Sequence, residues 1–142
     1  AKTADAWSNL GMLLVELGRH DEALADFGRA KEILQGYPLD HFGQAEALLG
    51  VAKVSLARRQ PKEAVATLHR VLGLCDKKEG FRFDYTKARA TFLMGRALVE
   101  GRAPEGGGRA LVLEARRALT DFGPERFRRD LAEVDRWLAA HP

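Results

Sequence analysis

Apolar residues recur along this chain at spacings of three and four, the mark of helices that each bury one side. Trp7, Leu10, Gly11 and Leu14 fall at i, i+3, i+4 and i+7 of one stripe, and Ala23, Phe27 and Ala30 resume the pattern after an interruption. Leu17-Gly18-Arg19-His20-Asp21 is that interruption. Gly18 suits the positive φ that ends a helix, and Asp21 is the expected N-cap of the next one. A first helix pair is therefore expected over about residues 4–17 and 21–35, closed by Gly36-Tyr37-Pro38. Small residues let two antiparallel axes approach, while Trp7 and Phe27 fill the space beside them. On that reading Trp7→Ala costs about 3–5 kcal/mol. Enlarging Ala23 costs about 1–3 kcal/mol.

The pattern then repeats. At a shift of 41 residues Trp7 maps to Leu48, Leu10 to Val51, Gly11 to Ala52, Ala23 to Ala64, Phe27 to Leu68 and Ala30 to Val71. Asp40 is the expected N-cap of the third helix, and Arg59-Gln60-Pro61 turns into the fourth with Pro61 in its first turn. Lys77-Lys78-Glu79-Gly80 ends this second pair. A fifth helix is expected from about residue 84 to 100. In it, Met94-Gly95-x-x-Leu98-Val99-Glu100-Gly101-Arg102 echoes Leu10-Gly11-x-x-Leu14-Val15-Glu16-Leu17-Gly18-Arg19 with one residue deleted. Gly106-Gly107-Gly108 reads as a turn or linker, because each glycine costs about 1 kcal/mol in a helix. The sixth helix should therefore begin irregularly and run to about residue 119. Phe122-Gly123-Pro124 stops it, and a last helix over about residues 124–140 carries Phe127, Leu131, Val134 and Leu138 on one face.

These residues resemble the tetratricopeptide repeat, whose signature is a W-x2-L-G stretch followed by spaced Ala and Phe on a second helix. The family's usual period is about 34 residues. Here the shifts are 41 and then 43, from Trp7 to Leu48 and from Val51 to Met94. Tyr37-Pro38-Leu39-Asp40-His41 resembles the linker of the longer, kinesin-light-chain-like repeats. Residues 85–142 are similar to the extreme C-terminus of bacterial proteins that join a serine/threonine kinase domain to such repeats. Ala88-Arg89-Ala90, Glu114-Ala115-Arg116-Arg117-Ala118-Leu119 and Asp130-Leu131-Ala132-Glu133-Val134-Asp135-Arg136-Trp137-Leu138 carry that second likeness. The resemblance implies an all-α fold: one domain of three antiparallel hairpins in a right-handed superhelix. Its parts would be residues 1–36, 40–78 and 83–122, followed by a capping helix at 124–140. Arrays of this kind need such a cap over their last apolar face.

Charge adds little direction. The chain has 142 residues, 46% hydrophobic and 30% charged, with a net charge of +3. Residues 1–75 hold nine basic and nine acidic side chains, residues 76–142 fourteen and eleven. The excess lies around Arg116, Arg117, Arg126, Arg128 and Arg129 with acidic residues between them, a solvated helix surface rather than a nucleic-acid footprint. No apolar run approaches the ~20 residues of a membrane span. The opening residues lack a signal-peptide core and read as a cut from something longer. A lone Cys75 excludes an internal disulfide and fits a reducing cytoplasm.

No catalytic constellation stands out. Asp26-Phe27-Gly28 and Asp121-Phe122-Gly123 spell the metal-binding tripeptide of protein kinases. Helix spacing accounts for Phe27, the second copy is a helix end, and the H-R-D loop, Gly-rich loop and V-A-I-K motif are missing. Gly106-Gly107-Gly108 lacks the Lys-Ser/Thr of a phosphate loop. His20, His41, His69 and His141 are dispersed, with none at ligand spacing from Cys75. Cys75 sits on an apolar face as a small core residue. No metal, cofactor or enzymatic activity is expected.

What remains is the concave face. The resemblance implies that it is formed by Ser8, Asn9, Met12, Val15 and Glu16, then Leu49, Gly50, Lys53, Leu56 and Ala57, then Phe92, Leu93, Arg96, Val99 and Glu100. Asn9, Met12, Glu16, Leu49, Lys53, Phe92 and Arg96 are the candidate partner-binding residues. Met12, Lys53 and Arg96 form one row and Val15, Leu56 and Val99 an apolar one. Such rows suit a protein or peptide ligand with hydrophobic anchors and an acidic group. The alternative is that the apolar row packs internally. The carboxylate clamp of chaperone-binding repeats is not expected, since Asn9 is one turn off that pattern and Gly50 stands where it needs Asn. The expected function is a non-catalytic interaction scaffold. A docking tail of a bacterial kinase and a self-association module are the alternatives, and neither nucleic acid nor membrane is an expected partner.

Overall fold

Seven helices and no strand make up residues 3–142, the part described by this computed structural model. Each begins and ends for a local reason. The helix α1 (Ala4–Glu16) starts at Thr3, whose hydroxyl accepts from the Ala6 amide at 3.1 Å. At its end the amides of Gly18 and Arg19 turn back onto the carbonyls of Val15 and Leu14, with Gly18 at φ 76°. The helix α2 (His20–Leu34) therefore begins almost at once. Its cap position is Arg19, without a side-chain bond. The expected cap, Asp21, lies inside the first turn and pairs with Arg58 instead.

The helices α3 (His41–Ala57) and α4 (Pro61–Cys75) form the second pair. Asp40 caps α3 by accepting from Gly43 at 2.9 Å, and Pro61 is the first residue of α4, both as expected. The helices α5 (Phe81–Glu100) and α6 (Gly108–Phe122) form the third. The fifth helix starts three residues earlier than its sequence indicates. Phe81 joins an aromatic cluster with Tyr85, Phe122 and Phe127, at centroid separations of 5.2–6.2 Å. That long-range packing winds the first turn.

Three other expectations are corrected. Gly108 is not linker: it is the buried first residue of α6, and a Cβ there would lie 2.6 Å from the Gly95 carbonyl oxygen. The turn after α5 has no deletion. Arg102, at φ 51°, occupies the place of Gly18, and its amide and that of Ala103 bond to Val99 and Leu98. The last helix, α7 (Arg128–Ala140), starts four residues later than expected, because residues 124–127 form a turn with the Phe127 amide on the Gly123 carbonyl.

The pairs stack in order. The helix α3 packs on α1 and α2, α5 packs on α3 and α4, and α7 lies against α6. One large core, from Ala45 to Trp137, fills the second and third pairs and the cap. Phe27 is wholly buried, with Leu14, Ala23 and Val54 around it. Trp7 is only half-buried, with the Arg29 guanidinium 4.6 Å from its ring centre, so its removal costs less than the sequence implies. Cys75 is fully buried. No helix among the described residues is long and apolar enough to cross a membrane.

Candidate functional site

Repetition of the hairpin puts the same side of α1, α3 and α5 in one line, and the chain after α6 folds across the end of it. The result is an open groove of about 810 Å³. Val15 and Glu16 come from α1, Lys53, Leu56 and Ala57 from α3, and Tyr85, Arg89, Leu93 and Arg96 from α5. Residues 126–136 form the far wall, with Arg126, Arg129, Asp130, Glu133 and Arg136 facing the groove.

The expected site residues divide. Glu16, Lys53 and Arg96 line the groove together, with Val15, Leu56, Ala57 and Leu93 beside them. Asn9 is exposed but lies outside the lining. Met12 is half-buried and packs against the core. Leu49 is fully buried, so it offers no surface to a partner. Phe92 is also buried and reaches only a cavity of about 30 Å³ beneath the groove. The reason is helical phase: positions 49 and 92 turn inward onto the neighbouring helices, while 53 and 96, one turn on, turn out. Ser8 and Gly50 are buried too. A Cβ at Gly50 would sit 2.1 Å from the Phe27 ring, so this position is packing and not binding surface.

Two of the groove's six cations, Arg89 and Arg96, are held by carboxylates. Arg89 lies 3.4 Å from both Glu46 oxygens, and Glu46 also takes the hydroxyl of fully buried Thr86 at 2.8 Å. Arg96 donates to Glu100 at 3.0 Å and lies 3.9 Å from Glu133. Glu100 accepts as well from Trp137 Nε1 at 3.0 Å, tying α7 to α5. Tyr85 donates to Asp130, 3.0 Å away, and burial first of all holds its phenol up to about 12. Arg126 lies over the rings of Phe81 and Phe127. Lys53 differs from Arg126, Arg129 and Arg136, which also lack a salt bridge among the described residues, in being half-buried where they are exposed. Among the described residues it has no salt bridge, and burial, with repulsion from Arg89, pulls its ammonium below the usual lysine value.

Tyr85, Arg89 and the α7 wall are absent from the sequence reading. Arg89 had a signal, since it lies seven residues before Arg96 on the same helical stripe. The wall had none, because nothing local says where a terminal helix folds back. Among the described residues no cluster of His, Cys, Asp and Glu could hold a metal ion.

The profile of the tetratricopeptide repeat matches residues 2–77. No curated protein and no solved structure matches the chain. Tetratricopeptide repeats generally mediate protein–protein interaction and are typically non-catalytic. With its helix hairpins stacked in series and that match spanning more than half its length, the chain belongs to the tetratricopeptide repeat family.

Proposed function

We propose that this chain is a non-catalytic interaction module whose groove takes an acidic peptide or helix with apolar anchors. The observation that carries the reading is Lys53: a half-buried ammonium on the groove floor that makes no salt bridge among the described residues, with Glu133, Glu16 and Asp130 acting on it only from farther off. Leaving such a charge unpaired is costly, and a ligand carboxylate offsets that cost when it binds. Around it the groove sets Lys53, Arg89, Arg96, Arg126, Arg129 and Arg136 against Glu16, Asp130 and Glu133, an excess of positive charge. Val15, Leu56 and Leu93 supply apolar seats within reach of that charge. Arg96 contributes less than the sequence implies, because Glu100 and Glu133 already neutralise it.

The test is selection of random displayed peptides on the immobilised chain, wild type beside Lys53→Glu. Wild type should enrich peptides with Asp or Glu near one or two apolar residues, bound more weakly as salt rises. Lys53→Glu should lose them by about tenfold or more, a loss of roughly 1.4 kcal/mol. Enrichment of the same peptides on a folded Lys53→Glu chain would remove the groove from this reading.

A further inference from the structure

The leading helix of each pair uses one face for the same purpose. Its equivalent positions are Ala6, Ala47 and Ala90; Leu10, Val51 and Met94; Leu13, Val54 and Ala97; Leu17, Arg58 and Gly101. In the second and third pairs this face is seated on the pair before it. Ala47 packs with Ala30 and Leu34, and Val54 with Leu14, Ala23 and Phe27. Arg58 pairs with Asp21 in the first turn of α2. A Cβ at Gly101 would touch Pro61, the first residue of α4, at 3.1 Å. Two junctions thus share one geometry, in which the last of these positions meets the start of the preceding pair's second helix.

At the first pair the second half of this face is open, while Ala6 and Leu10 are half-buried. Val54 is 1% exposed and Ala97 1%, but Leu13 is 58% exposed and Leu17 69%. Ala6, Leu10, Leu13 and Leu17 are spaced by four, three and four, a continuous seam along α1. Within arrays of this architecture such faces are buried by stacking on the neighbouring repeat.

We infer that the exposed seam of α1 is a third junction, and that its occupant is a further helix hairpin of this repeat type. Continuity with the two internal junctions specifies the contact. The occupant's second helix lays small and large apolar residues over Leu13, as Ala23 and Phe27 do over Val54, and its first turn meets Leu17. The opposite end of a second copy does not offer that surface. Beyond the groove wall α7 exposes Arg128 and Asp135, the latter held by Arg116 of α6.

The experiment adds a hairpin at the native period by duplicating residues 1–41 ahead of residue 1 of the full chain. The added pair should raise the thermal midpoint by about 5–10 °C and slow amide exchange along α1. Leu13→Glu in the original α1 should cancel both gains in the extended chain while leaving the parent's midpoint within about 1–2 °C. No gain, or a gain that survives Leu13→Glu, overturns the proposal. So does a concentration-dependent dimer of the parent chain that Leu13→Glu abolishes, since the occupant would then be a second copy.

Discussion

The first and third hairpins carry the same Gly on their leading helix, at 11 and 95, yet close on it in different ways. In the first, Phe27 is the filler. A Cβ at Gly11 would lie 2.6 Å from its ring and one at Gly50 2.1 Å, so the ring is held between two glycines of successive repeats. In the third, Val112 stands where Phe27 does and Gly108 where Ala23 does. With less side chain between them the helices meet backbone to backbone. A Cβ at Gly95 would lie 2.5 Å from the Gly108 carbonyl, and one at Gly108 2.6 Å from that of Gly95. The fold demands a small residue at this crossing, but what fills the space is free to vary if total volume is kept.

The largest test of that contrast is Phe27→Ala. The ring is fully buried, so its loss should cost about 3–5 kcal/mol in urea denaturation. Adding Gly50→Ala should return part of this, because the methyl enters vacated space. A double-mutant cycle showing no coupling would break the picture of a shared wedge. Next comes Gly95→Ala, expected to cost about 1–3 kcal/mol since a carbonyl cannot yield as a side chain can. The control is Gly28→Ala on α2, where nothing lies within 4 Å. It should stabilise by about 1 kcal/mol through helix propensity alone. Stabilisation by both substitutions would show that propensity, not close approach, governs Gly95.

The turns after the leading helices sharpen the comparison further. Gly18, Arg59 and Arg102 hold equivalent places at φ 76°, 59° and 51°. Each closes the same pair of hydrogen bonds, but two are arginines in the left-handed region. Arg59→Gly and Arg102→Gly should each stabilise the chain by about 1 kcal/mol. A fall in thermal midpoint for both would mean their side chains matter more than their backbone.

The smallest effect at neutral pH concerns the third hairpin, where Tyr85 lies under α7. Its phenol is raised from 10 to about 12, by burial first, with Arg89 opposing and Asp130 adding. The folded state therefore favours the protonated form. That contribution is whole below pH 10 and is lost as pH rises through 12. Thermal melts of wild type should fall more steeply between pH 10 and 12 than those of Tyr85→Phe. Parallel curves would place the ionisation elsewhere.

Much of this architecture is legible in the residues. The i, i+3, i+4, i+7 stripes locate six of the seven helices to within a few residues, and Thr3, Asp40, Pro61 and Gly18 mark ends by local chemistry. The misjudged ends are those set from a distance. Phe81 is drawn into helix by Phe122 and Phe127, and Gly108 by Gly95. The groove was half legible. Lys53, Glu16 and Arg96 follow from the repeat, whereas Leu49 and Phe92 needed the precise rotation of each helix.

By itself the sequence determined the repeating hairpins, their order and the small residues at the first two crossings. Those follow from periodicity and steric size, which act between residues close in the chain. Tertiary structure alone decided that α7 walls the groove, that Arg96 and Arg89 are neutralised while Lys53 has no salt bridge among the described residues, and that Leu13 and Leu17 stand open. Charge pairing and burial depend on distances between residues far apart in sequence, and these exist only once the helices have stacked.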